Sequence, residues 1–200
     1  MAITQTGKVC ISSSGGIFDY FKAGDPNQYP FTQILDNFTG TPGTPLTSHT
    51  PDSGGSWSLL AGTSSAIIAV NPPLAGASLQ IGGAQGLGVV HSLILPQADV
   101  FVETKYIAYA PVCSLSARFQ DENNYYTFIT AGGGVFQIRR GTTVLSEVTT
   151  TPLAVNDILR LEIIGQTISG YRNNNLILTY TDSVLQTPSP PTNLTLACGI

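Results

Sequence analysis

The sequence predicts an all-β fold, a two-sheet antiparallel jelly-roll sandwich preceded by an N-terminal arm. Three observations carry this. Helical periodicity is almost absent along the 200 residues. Short runs alternate apolar and polar residues with period two, as strands do when one face is buried and the other wet. Clusters of Gly, Pro and Asn separate these runs at close spacing, as in sandwiches. So many short strands in one domain require two packed sheets, because a single open sheet of that size exposes long edges.

Residues 1–33 lack sustained alternation. They hold SSSGG and then the aromatic-rich IFDYFKAGDPNQYPF. They read as an arm outside the sandwich, with residues 34–200 as the jelly-roll domain. Phe18, Tyr20 and Phe21 are the arm's contact residues, packing on the domain itself, on a sister subunit or on another protein. Runs at 56–61, 66–70, 77–81, 89–95 and 100–109 come next. The run 89–95 is apolar on both faces except for His91 and Ser92, which suits a central strand. In VCSLSARF, Cys113, Leu115, Ala117 and Phe119 share one face, while Ser114, Ser116 and Arg118 share the other. In ILRLEII, Leu159, Leu161 and Ile163 point inward and Arg160 and Glu162 outward. Leu176, Leu178 and Tyr180 align in NLILTYTD, as do Leu194, Leu196 and Cys198 in NLTLAC. AGGG (131–134) and RNNN (172–175) supply residues that tolerate positive φ, as tight hairpins need. NPPLAG (71–76) and QTPSPP (186–191) are connections, because proline cannot sit inside a central strand.

Composition bounds the function. Hydrophobic residues make up 42% of the chain, enough for a sizeable core, and charged residues only 10%. Soluble proteins average about 25% charged, so Thr, Ser, Asn, Gln and Gly must cover this surface, which suits a protein that lives in an assembly. The net charge of −4 gives no drive toward nucleic acid or an anionic membrane. The start, MAITQTGKVC, carries no secretory pattern. The longest apolar stretches, AIIAV and LGVVHSLIL, are too short for a membrane helix. The expectation is a chain made and folded in a cytosol. Its three Cys, at 10, 113 and 198, are odd in number and show no metal spacing, which argues against a disulfide framework. Cys113, on an inward strand face, reads as a buried inert thiol. Without secretion, the sequons at Asn37 and Asn193 carry no weight.

A family resemblance enters on three stretches. ILDNFTGTPGTPLTSHTPDSGGSW (34–57) resembles the opening of laminin-G-like, concanavalin-A-like jelly-roll domains, with a D-x-F strand and an L-x-x-H-x-P-D-x-G-x-x-W loop. SARFQDENNYYTFITAGGGVFQIRR is similar to that family's R-x-x-D-x-x-N-Y-Y hairpin. DILRLEIIGQTISGYRNNNLILTYTD is similar to its L-x-x-x-x-x-G-x-x-I-x-x-Y-x-N region. The resemblance runs from about residue 34 to 185, and NLTLACGI ends where many relatives continue with another strand. The opening motif also resembles domains of bacteriophage structural proteins. That resemblance implies a virion component assembled in the host cytoplasm, partnered by other virion proteins such as the major capsid protein. It also implies a homo-oligomer, trimers being one such form.

The candidate sites divide between chemistry and architecture. In DENNYY, Asp121, Asn123 and Asn124 are hard oxygen ligands for Ca²⁺, a common cofactor of the resembled fold. Calcium takes six to eight oxygens, several of them carboxylate, so the simpler reading is a polar loop with no cofactor. Tyr125 and Tyr126 point to opposite faces of a strand, one to the core and one to solvent, a partner or a sugar. His49 reads as a hydrogen-bonding post that pins its loop, Trp57 and His91 as core residues, with Leu59 and Ala61 buried beside Trp57. A glycanase needs two carboxylates about 5–10 Å apart, and no strand carries acids at i and i+2 or i+4. Glu103 and Glu162 stand alone on their strands. The sequence therefore predicts a non-enzymatic structural and interaction protein. The alternative is a carbohydrate-binding module or adhesin using Tyr109, Tyr125 or Tyr126, Tyr171, Asn123, Asn124 and Asn173.

Overall fold

The computed structural model describes residues 8–13, 17–28, 33–60, 65–70, 77–82, 89–93, 95, 98–108, 112–121 and 124–183. These form strands β1 (Lys8–Ser13), β2 (Ile17–Gly24), β3 (Ile34–Asp36), β4 (Trp57–Leu59), β5 (Ser65–Val70), β6 (Ala77–Gly82), β7 (Val89–His91) and β8 (Val100–Ala108). The second half adds β9 (Val112–Asp121), β10 (Asn124–Ala131), β11 (Val135–Arg140), β12 (Thr143–Thr149), β13 (Ile158–Ile164), β14 (Thr167–Arg172) and β15 (Asn175–Thr181). Among the described residues there is no α-helix, only 3₁₀ turns at Pro26–Gln28 and Leu46–Ser48. One sheet runs β12-β11-β10-β9-β1-β7-β4. The other runs β15-β14-β13-β8-β2-β6-β5, with β3 added on β2. All described pairings are antiparallel, and the two sheets pack face to face as the sequence predicts.

Period-two alternation builds the core. Leu115, Ala117, Tyr126, Phe128, Phe136 and Ile138 from one sheet meet Phe18, Phe21, Val102, Leu159, Leu161 and Ile163 from the other in one buried cluster. The sheets approach closely at Gly170, where a Cβ would lie 2.5 Å from the Phe128 ring. Cys113 is buried as expected, and burial pushes its thiol up to about 12, with the Thr130 hydrogen bond pulling the other way. The AGGG bend joins β10 to β11, with Gly132, Gly133 and Gly134 all at positive φ.

The arm is corrected. β1 lies between β9 and β7, and β2 between β8 and β6, so both are interior strands of the sandwich. Phe18 and Phe21 sit in the main core. The alternation of β2 is hidden because its register against β8 shifts twice, between Ile17 and Phe18 and again before Phe21.

Bulges account for further departures. Arg118 takes φ +52°, and the register of β9 shifts there against both neighbours. An extra residue inverts the faces beyond it. Phe119 therefore leaves the core for a small separate cluster with Cys10 and Tyr125. Ser114, Ser116 and Arg118, expected on a wet face, are all buried. Arg118 spans between the sheets, donating from Nε to the Ala98 carbonyl at 2.9 Å and from NH2 to the Gly165 carbonyl at 3.2 Å. Burial lowers its pKa, partly offset by Asp99. In β15 a register shift at Gly170/Tyr171 turns Ile177 toward the core and leaves Leu176 out of line with Leu178. Leu59, expected inside, is exposed on a three-residue strand. Ala61 and the 194–198 run lie outside the described residues, as does the side chain of His91.

Candidate functional site

Two surfaces stand out. The first is the outer face of the second sheet. Register places Lys22 opposite Glu103, Glu103 opposite Arg160, and Arg160 opposite Tyr171. Opposed residues share a face, and Leu161 beside Arg160 faces the core, so this row faces outward. The Tyr20 hydroxyl donates to Glu103 Oε1 at 2.9 Å, and Lys22 Nζ reaches the same oxygen at 3.5 Å. Lys22 also lies 4.3 Å over the Tyr20 ring, and the Arg160 guanidinium 4.4 Å over the Tyr171 ring. Tyr171 donates to Glu162 Oε1 at 3.2 Å. Burial, then the Glu162 carboxylate, raises the Tyr171 hydroxyl above its usual pKa. Lys105 pairs with Asp19 at 3.0 Å. The cations Lys22, Lys105 and Arg160 balance the carboxylates Asp19, Glu103 and Glu162.

This face brings together Tyr20 and Tyr171, predicted separately from an arm and a loop. It also brings Glu103 and Glu162 onto one face of adjacent strands, an arrangement that strand-by-strand reading missed. Each carboxylate is engaged by a tyrosine hydroxyl and approached by a cation, Glu162 by Arg160 Nε at 3.8 Å. Glu103 and Arg160 are themselves buried, so the face presents the half-buried Tyr20 and Tyr171 on either side of them.

The second surface is an edge. β12 and β15 end their sheets on the same side and touch each other. Each has seven residues, TVLSEVT and NLILTYT. Together they carry one charge, Glu147, which accepts a hydrogen bond from Gln137 Nε2. Each has one bulge, at Leu145 and at Ile177. The bulges turn Leu145 and Ile177 toward the core and leave Val144 45% and Leu176 54% exposed. The opposite side is built differently. β4 is only three residues long. β5 is covered by the 43–45 segment, with Gly43 N–H donating to the Ile68 carbonyl at 2.7 Å and Ile68 N–H to Thr44 O at 2.9 Å.

The remaining candidates resolve into architecture. Asn124 Nδ2 donates to both Asp121 oxygens, at 2.8 and 2.7 Å, and caps the β9–β10 bend. An N–H donor faces that carboxylate where calcium needs converging oxygens. Among the described residues no three His, Cys, Asp or Glu side chains gather as a metal site. Tyr126 is core, its hydroxyl donating to Asp182 Oδ2 at 2.9 Å beside Arg140 at 2.8 Å. Burial and Asp182 push that hydroxyl well above its usual range. Tyr125 does point to the other face but is buried against Cys10 and Phe119, not exposed. Asn173, at φ +52°, closes the β14–β15 turn, accepting from Ile158 N–H at 2.9 Å and donating to Asp157 at 2.7 Å. Tyr109 and Asn123 lie outside the described residues.

His49 and Trp57 converge on a residue that the sequence reading did not single out. Asp36 is 0% exposed. It accepts from Trp57 Nε1 at 2.6 Å, from His49 Nε2 at 2.8 Å and from Phe38 N–H at 2.8 Å. His49 is the post expected, and Trp57 is core. The signal was the Asp of ILDNFTG, two residues before Phe38, which takes φ +52° above it.

Among the described residues, the fold and these surfaces define a two-sheet antiparallel β-sandwich with one open side. No family model, curated protein or solved structure matches the chain.

Proposed function

We propose that the chain is a non-enzymatic structural protein of a bacteriophage particle. It acts as a surface component such as a capsid decoration (cement) protein or a head- or tail-fibre subunit, through contacts with other virion proteins. The observation that carries this is the contrast between the two sides of the sandwich. Proteins blunt sheet edges with short strands, charge, proline or cover. Here β4 is short and β5 is covered, while β12 and β15 are long, free of proline and nearly uncharged. An edge kept in that state fits a protein that joins others side by side, and the 10% charge content fits the same life. Co-sedimentation with capsids of the phage that encodes the chain tests this. Binding that is lost when Thr179 becomes Lys supports it, and a chain left in the supernatant refutes it.

One observation favours a second reading, a carbohydrate-binding module or adhesin. Tyr20 and Tyr171 flank Glu103 and Arg160 on one face, and sugar sites combine aromatic surface with converging polar groups. A glycan array with no signal, with and without calcium, removes it. A hit abolished by Tyr171→Ala establishes it.

A further inference from the structure

We propose that the β15 edge takes a second copy of this chain, paired antiparallel across a two-fold axis normal to the sheets, with Thr179 opposite its own symmetry mate. The inference rests on reading the β12–β15 side as the assembly surface, and it names the occupant.

Self-pairing makes particular demands. An isologous contact sets each residue of the strand against another residue of the same strand. Any charge near the axis therefore meets a like charge. β15 carries none. The axis at Thr179 places Leu178 against Tyr180 of the second copy, Ile177 against Thr181, and Thr179 against itself. Aliphatic–aromatic and Thr–Thr pairs are the favourable cross-strand kinds. The residues that matter lie past the bulge, where alternation is regular again: Gly170 faces Leu178, Ser169 faces Thr179 and Ile168 faces Tyr180. The shared axis also keeps each face in register, so Leu178 and Tyr180 stay on the core side in both copies.

The second sheet helps. β12 touches β15 along the same side, and packed sheets keep their strands within about 30° of each other. The same axis then brings β12 up to its own mate. With the axis at Thr179, residues 177–181 of each β15 face each other, an edge about 17 Å long at about 3.4 Å per residue, and two sheets about 10 Å apart make it roughly 20 Å deep with side chains. Two such edges bury on the order of 700 Å² in total, the size of a weak, concentration-dependent contact. The product is a dimer with each sheet continuous across the axis, which leaves the Tyr20–Tyr171 faces open. It is two-fold, where the family resemblance points also to trimers.

Light scattering after size exclusion, over a micromolar concentration series, reads the oligomer. The wild type and Ser58→Lys, a change on the opposite edge, are expected to dimerise. Thr179 and Thr181 are both exposed; Thr179→Lys sets like charges face to face at the axis and is expected to weaken the dimer about 100-fold, and Thr181→Lys, which sets a charge against Ile177 of the second copy, about 10-fold. Circular dichroism checks that both variants fold. Thr179→Cys in a Cys198→Ser background is expected to form a disulfide-linked dimer on mild oxidation, and Cys198→Ser alone is not. A wild type that stays monomeric overturns the proposal, as does a dimer indifferent to both lysines. If that monomer binds capsids and Thr179→Lys abolishes the binding, the edge reading survives without the second copy. If Thr179→Lys binds capsids unchanged, both fail.

Discussion

Replacing Asp36 tests how the 34–57 segment is held. Its carboxylate is 0% exposed and takes three donors, from Phe38, His49 and Trp57. Hydrogen bonds to a charged group contribute about 1.5–3 kcal/mol each, and a buried donor left without a partner costs about 1–3 kcal/mol. Asp36→Ala strands all three, so the expected loss is about 4–6 kcal/mol, comparable with the whole stability of a small domain, about 5–15 kcal/mol. Asp36→Asn keeps one acceptor oxygen but turns an NH₂ toward a donor, and the expected loss is about 2–4 kcal/mol. If the clash is with the indole N–H, Trp57→Phe relieves it. The double variant Asp36→Asn/Trp57→Phe then costs less than the sum of the single changes by about 1–2 kcal/mol. Urea unfolding followed by far-ultraviolet circular dichroism measures the wild type and all four variants. An Asp36→Asn protein within about 0.5 kcal/mol of wild type, or strict additivity in the cycle, refutes the reasoning.

Other expectations follow from single positions. Gly134 sits at φ +85°, and a Cβ there would lie 2.2 Å from the Thr150 carbonyl oxygen. Gly134→Ala should destabilise by about 3 kcal/mol or more, and Gly133→Ala, at φ +59° in open space, by about 1 kcal/mol; thermal melts compare them. Burial alone would raise the Asp157 pKa, but the Ala154 N–H, Arg172 and Asn173 outweigh it and hold the carboxyl below its ordinary value. Its ionised form therefore stabilises the fold above the ordinary carboxylate pKa, about 4, and that contribution is lost as pH falls through the lower folded value. Melting temperature against pH should show a shallower acid decline for Asp157→Asn than for wild type, and equal slopes would contradict this. Cys10 and Cys113 are buried, and the Cys113 thiol is pushed up to about 12. The folded Cys198→Ser chain should therefore show no fast thiol reaction with Ellman's reagent at pH 8, and two thiols in denaturant.

Local pattern carried the strands and the bends. ILRLEII needs only its own alternation to place Leu159, Leu161 and Ile163 inside, and AGGG needs only its glycines to turn. What stayed hidden depended on partners far along the chain. β2 looked irregular because its neighbours β6 and β8 lie about 60 to 90 residues away and its register shifts against β8. The bulge at Arg118 reverses the faces of β9, and its guanidinium is held by the carbonyls of Ala98 and Gly165 with the Asp99 carboxylate 3.7 Å away, which no local spacing reveals. Leu176 was misplaced for the same reason, one residue beyond the bulge at Ile177. The candidate surfaces were less legible still. Tyr171 was singled out as a loop aromatic and Tyr20 as an arm contact, but only cross-strand register puts them on one face with Glu103 and Glu162. The open edge is a property of sheet order, which the fifteen strands among the described residues do not disclose residue by residue.

Amide hydrogen exchange on the free chain and on the chain bound in its particle reads the open edge most directly. The account predicts slower exchange on assembly in β12 and β15, residues 143–149 and 175–181, with β4 unchanged. Equal exchange in those two strands in both states, or protection confined to the Tyr20–Tyr171 face, would contradict it.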